Sequence, residues 1–168
     1  MTDTPPGWLP ELIEVEAGSW AENLKQLYSI FRNDFVTGGP RYEGLTVWHD
    51  RRKLDGEYEE GFWHLVTNDY TKTKDRYPDL PRARRLRWCR ATIDNSKPPD
   101  VLVFDYEEGD GRIRRYLWVH ECDYLVIMEK KQFKDGQDRA YSLVTAFSFE
   151  NDKSYRKTTQ RKYDQRVP

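Results

Sequence analysis

The residues of this chain whose types could do chemistry are those that exchange protons near neutrality and the clustered cations that could hold negative charge. Few qualify. Its three histidines are His49, His64 and His120. None has H-E-x-x-H spacing or stands beside paired cysteines, so no metal site is expected. His64 lies inside the apolar run Phe62-Trp63-His64-Leu65-Val66. It reads either as a satisfied, partly buried ring or as a general base or acid acting on a ribose hydroxyl. His49, after Trp48, reads as a strand-end surface group, and His120 as structural. Arginine is concentrated at 82, 84, 85, 87 and 90. Its planar fork matches phosphate oxygens. Like charges at these spacings repel by a few tenths of a kcal/mol per pair. An acidic surface of the protein or a phosphate backbone would relieve that repulsion.

RNA cleavage without a metal needs one group to take the 2′-OH proton, cations for the pentavalent phosphate and a donor to the leaving oxygen. His64 fits the first role. Arg82 and Arg85 fit the second, being on or beside the helix face expected to pack. Thr145, mid-strand in Leu143-Val144-Thr145-Ala146-Phe147, could set a hydroxyl beside a phosphate, or is simply a good strand residue. Arg84 and Arg87 read as surface phosphate binders, joined by Arg76, Lys130 and Lys131. Tyr163, with Lys130 and Lys131, is a weaker choice for proton transfer.

Other chemistries find no support. There is no G-x-x-x-x-G-K-[ST] loop, G-x-G-x-x-G turn or G-x-S-x-G elbow, so no nucleotide cofactor and no serine-hydrolase site are expected. Glu59-Glu60 and Glu107-Glu108 read as solvated surface. The two cysteines, Cys89 and Cys122, suit a reducing compartment, and a cytoplasmic location is expected. No apolar run approaches the roughly 18 residues of a membrane span. The opening MTDTPPGW lacks a basic region followed by an apolar stretch, so no signal peptide is expected. Net charge is only −1 but unevenly spread. Residues 1–60 carry 12 acidic against 6 basic side chains, residues 72–90 carry 2 against 8, and residues 151–166 carry 2 against 6. Either a polyanion partner or the acidic N-terminal portion answers the basic middle.

The elements that must position these groups are readable in outline. Residues 1–18, rich in proline, form a flexible lead in which Trp8 and Leu9 can anchor. Ser19-x-x-Glu22 has capping-box spacing, and Trp20, Leu24, Leu27, Phe31 and Phe35 predict a helix over 19–35. Residues 45–50 alternate weakly as a strand. Residues 61–66 read as a buried strand or a short helix. Asp79 and Pro81 open a helix over 79–94, with Leu86, Cys89 and Ile93 inward and Arg84, Arg87 and Trp88 outward. Strands follow at 101–106, 112–120, 124–130 and 139–149, joined by short turns as an antiparallel meander. Ile113, Leu117, Val119, Val126 and Met128 are assigned to its helix side. Tyr141, Leu143, Thr145 and Phe147 share one side of the last strand. Residues 151–168 read as a basic tail with an extra helical turn followed by disorder. The expected class is α+β: one domain over 19–150, N-terminal helices packed on a curved antiparallel sheet of about four strands.

The pieces F-W-H-L-V-T, R-x-P-D-x-x-R-A-x-R-x-x-W and L-V-T-A-F, spread over residues 60–165, resemble the barnase–EndoU–colicin E5/D–RelE class of ribonuclease domains. The likeness is to its phage- and mobile-element-associated branches. It rests on His64, Arg76 with Pro78-Asp79, Arg82, Arg85, Trp88, the strands over 112–130, and Thr145. It implies metal-independent RNA cleavage leaving a cyclic phosphate and a free 5′-hydroxyl, as in a toxin or phage effector. Implied partners are RNA, tRNA among them, and a cognate inhibitor or antitoxin. The competing expectation is a noncatalytic phage or bacterial accessory protein that binds nucleic acid or a protein partner.

Overall fold

The computed structural model describes residues 5–68 and 77–168. Helix α1 (Trp20–Phe31) buries Leu27 and Phe31 and runs on through a π-helical turn, Arg32–Thr37, that buries Phe35. Its start is a 3-10 turn, Ala17–Ser19, so Ser19 makes no side-chain cap and the expected capping box does not form. A two-residue hairpin joins β1 (Arg41–Tyr42) to β2 (Leu45–Trp48). Residues 61–66 take the helical alternative, as α2 (Glu60–Val66). Strands β3 (Thr67–Asn68) and β4 (Tyr77–Pro78) form a small antiparallel pair.

The arginine-rich helix opens as its sequence dictates. Asp79 Oδ1 accepts from the Arg82 backbone N–H, and Pro81 sits in the first turn, where no N–H is needed. It is nonetheless two helices, α3 (Leu80–Arg84) and α4 (Leu86–Asp94), hinged at Arg85 with φ −101° and ψ 17°. Leu86, Cys89 and Ile93 face the core as expected. Trp88 does not point outward. The N-terminal segment crosses that side: Trp88 Nε1 donates to the Pro10 carbonyl at 2.7 Å, and Ile13 N–H donates to the Arg84 carbonyl at 2.9 Å. A lead that looked loose thereby turns the outer face of the helix into an inner one, and its Ile13 and Val15 are buried.

The meander forms with β5 (Val101–Glu107), β6 (Ile113–Val119), β7 (Tyr124–Gln132) and β8 (Asp138–Ser148). The sheet has six strands, in the order β1-β2-β8-β7-β6-β5, with β2 parallel to β8. Its inner face carries Val101, Leu117, Val119, Val126 and Met128 against α1, α2 and α4. Ile113, assigned to that packed face, is exposed at the sheet's far end. A bulge breaks the alternation of β8: Met128 pairs with Leu143, but Ile127 pairs with Thr145. Tyr141 and Leu143 therefore lie inward, whereas Val144 and Phe147 join an outer cluster. The C-terminal segment is no disordered tail. Asp152 caps α5 (Lys153–Asp164), whose Tyr155 and Tyr163 cover Phe104, Trp118 and Phe149 on the outer face. Two of its cations are engaged by carboxylates, Arg156 by Asp123 at 2.6 Å and Lys162 by Glu108 at 3.2 Å. The architecture is α+β, helices on one side of a curled sheet and a single helix on the other.

Candidate functional site

Helix α2 is buried at Glu60, Gly61, Phe62, Trp63, Leu65 and Val66, leaving His64 as its exposed residue. The helix is pinned at its start. Gly61 N–H donates to the Asp50 carbonyl at 2.9 Å, and an added Cβ there would lie 2.8 Å from His49 Cβ. His64 is thus an imidazole held at the surface by a rigid, apolar platform. Asp50 lies within its electrostatic reach. The Asp50 carboxyl is held below its ordinary range, first by a side-chain hydrogen bond from Arg52 and, among smaller causes, by His64.

Arg82 crosses from α3 to this helix. Its Nη1 donates to the His64 carbonyl at 2.7 Å and to the Thr67 carbonyl at 3.3 Å. Its guanidinium lies 5.3 Å from the centre of the Phe147 ring on β8. On β8, strand β2 pairs with Ala140–Ser142 alone, which leaves the later part of β8 to helices α2 and α3. Thr145 is there, two residues from Phe147 on the same face, about 7 Å along the strand. Arg82 thus links the backbone at His64 to Phe147, two residues along β8 from Thr145. The bulge puts Thr145 on the outer face rather than on the one it was expected to share with Leu143.

The other candidates are dispersed. Arg85, with its side chain only 13% exposed, donates to the Pro81 carbonyl, bridges to Glu150 at 3.3 Å and lies over Trp88. Both Arg82 and Arg85 stand near the buried Tyr124, whose hydroxyl is raised well above its ordinary value first by burial and then by Cys89, with these two cations opposing. Arg84 donates to the Val15 carbonyl, and Arg87 is exposed. Lys130 and Lys131 are at the opposite end of β7, bridged to Asp138 at 3.5 Å and to Glu129 at 3.0 Å. Arg76 lies outside the described residues. Tyr163 belongs to the outer aromatic cluster.

Neither a family model, nor a curated protein, nor a solved structure matches this chain.

Among the described residues no group of three or more His, Cys, Asp or Glu side chains is placed to hold a metal ion, and no helix is long and apolar enough to cross a membrane. The cysteines are buried, and burial pushes the Cys122 thiol up to about 11. His49 is buried rather than surface-lying, edge-on to Phe31 at 5.0 Å, and burial holds its pKa down. His120 receives Arg156 Nη2 at 3.2 Å beside the Arg156–Asp123 pair. Glu59 and Glu60 are buried at the start of α2, with Glu59 accepting from the Tyr28 hydroxyl, so they are not solvated surface. Nothing within a few residues of His64 marked Asp50 as its neighbour. The turn of chain that brings them together depends on Gly61 docking against the end of β2.

Proposed function

We propose that this domain is a metal-independent endoribonuclease whose reacting centre lies where α2, α3 and the later part of β8 meet. The observation that carries the reading is the presentation of His64: one exposed imidazole on an otherwise buried helix, its own carbonyl held by Arg82. His64 takes the proton of the ribose 2′-OH. The 2′ oxygen bonds to phosphorus, and the bond from phosphorus to the 5′ oxygen breaks. Water or a neighbouring acid protonates that 5′ oxygen, leaving a 2′,3′-cyclic phosphate and a free 5′-hydroxyl. Arg82 supplies positive charge to the phosphate oxygens, and the Thr145 hydroxyl donates to one of them. Arg85 acts from behind, holding the α3–α4 hinge against Glu150.

The test is incubation of total tRNA and a structured RNA pool with the protein in EDTA. The expected products carry cyclic phosphate ends. Losing a general base typically costs 10²–10⁴-fold, so His64→Ala is expected to cut the rate by at least about 100-fold. Arg82→Lys, which keeps the charge but loses the fork, should fall less. An inert wild type, or a folded His64→Ala protein as active as wild type, overturns the assignment.

One observation favours a noncatalytic accessory protein instead. The arginine-rich helix engages Arg84, Arg85 and Arg90 with groups of the protein itself, the last through the Asp34 carbonyl and Asp94. That reading predicts nucleic acid or protein binding with no cleavage.

A further inference from the structure

The inner face of the sheet continues beyond the helices into an open cavity of about 400 Å³. Its wall includes Asp105, Arg112, Arg115, Glu129, Lys130 and Tyr141. Arg115 is the hub. Its Nε and Nη2 grip Asp105, and its Nη1 reaches both the Tyr42 hydroxyl at 3.0 Å and the Glu43 carboxylate. The second oxygen of Glu43 accepts from the Tyr141 hydroxyl at 2.9 Å. Lys130 stands over the Tyr141 ring, 5.5 Å from its centre.

Glu43 is an unusual residue for its place. With Gly44 it makes the two-residue β1–β2 turn, at φ 49° and 77°. Such turns ordinarily take Asn or Gly at the first position, because a Cβ is crowded at positive φ. Its side chain is also 48% exposed. A carboxylate is thus held on a crowded, solvent-facing turn by a guanidinium and a phenol, the donor set that suits a phosphate oxyanion. The cavity wall carries three cations, Arg112, Arg115 and Lys130, and two carboxylates, Asp105 and Glu129, with Arg112 and Lys130 bridged to Asp110 and Asp138 beside it.

We infer that Arg115, Tyr141 and Lys130 form a phosphate-binding subsite that Glu43 occupies in the free protein and yields to a ligand phosphate. On the ribonuclease reading, on which the choice of ligand rests, that phosphate belongs to an RNA strand some distance from the scissile bond. Lys130 pairs with Tyr141 on the inner face, whereas Thr145 pairs with Ile127 on the outer face, so the two sites are separate.

The experiment is calorimetric titration of the full chain with inorganic phosphate and, separately, with a fully 2′-O-methylated RNA hexamer, which cannot be cleaved. Glu43→Gly removes the competing carboxylate and suits the turn, and Glu43→Gln keeps the side chain's size. Each should bind both probes about tenfold more tightly than wild type, since a charge-assisted bond no longer has to be displaced. Lys130→Ala should weaken both. Folded Glu43 variants that bind phosphate no more tightly than wild type overturn the subsite. Tighter phosphate with unchanged hexamer binding rejects RNA and leaves free phosphate as the ligand. Hexamer binding that tightens in the Glu43 variants while the wild type cleaves no RNA leaves the subsite standing and fails the cleavage reading alone, so the two are read separately.

Discussion

Gly61→Ala tests the platform beneath His64. Alanine is the better helix former by roughly 1 kcal/mol, so helix propensity alone predicts a stabilised protein. The packing predicts the reverse. The new Cβ would lie 2.8 Å from His49 Cβ, 3.1 Å from the Asp50 nitrogen and 3.2 Å from the Asp50 carbonyl oxygen. Two of these atoms are backbone, and the third is the root of a buried ring held edge-on to Phe31, so none can swing aside. Overpacking of this kind costs about 1–3 kcal/mol. With the neighbours this rigid the upper part of that range applies, and the net loss is about 1–2 kcal/mol. For a chain of this length that lowers Tm by roughly 2–8 °C. Urea unfolding of both proteins measures it, and an unchanged slope would place the effect in the folded state. A Gly61→Ala protein as stable as wild type would refute the claim that α2 is docked by close approach rather than by its own helicity. Because α2 carries His64, the same substitution should reduce any His64-dependent activity beyond what the fraction folded explains.

Two further outcomes follow from burial. His49 has its pKa lowered, so below about pH 6.5 the unfolded chain takes up a proton that the folded one refuses. Stability should therefore fall as pH drops from about 7.5 through 6.5 toward the lowered folded value, and should not depend on this group above that window. Denaturant midpoints across it should slope less in His49→Gln, and an equal slope would sink the argument. On the other face, Tyr155→Ala removes a ring packed on Phe147 at 5.2 Å and on Phe149 at 5.0 Å. The expected loss is about 2–3 kcal/mol, somewhat under a fully buried aromatic deletion, read as a lower urea midpoint. A loss below about 0.5 kcal/mol, the scale of ordinary surface changes, would mean that α5 is not part of the packed structure.

What could be read from the sequence was local. Alternation and turn residues gave β5 to β8, and Asp79 with Pro81 gave the start of α3, because these signals sit within a few residues of their effect. The features missed depend on what another segment does. Trp88 looked outward because Pro10, which receives its indole N–H, is far away in the chain. Thr145 changed face because the bulge is a mismatch between two strands, invisible in β8 alone. The strand-or-helix ambiguity at 61–66 was real: a run apolar at nearly every position carries no period, and its docking against Asp50 favours the helix. The C-terminal segment looked too polar to pack, yet Tyr155, Thr159 and Tyr163 return at helical spacing and suffice to cover one sheet face.

The parallel pairing of β2 with β8 sets an order of events during synthesis. Tyr141 and Glu43, which meet across that pairing, are 98 residues apart. At ribosomal rates the β1–β2 hairpin leaves the exit tunnel roughly 5–20 s before its neighbour. Over that interval the helices can gather on one another and on β5 to β7 as these emerge, with Val47 and the underside of α2 uncovered. The last meander strand then inserts beside a hairpin already made, closing the sheet from the middle. A chain released before that strand emerges would display an open edge and an apolar underside, the surfaces that holdase chaperones bind and that drive aggregation.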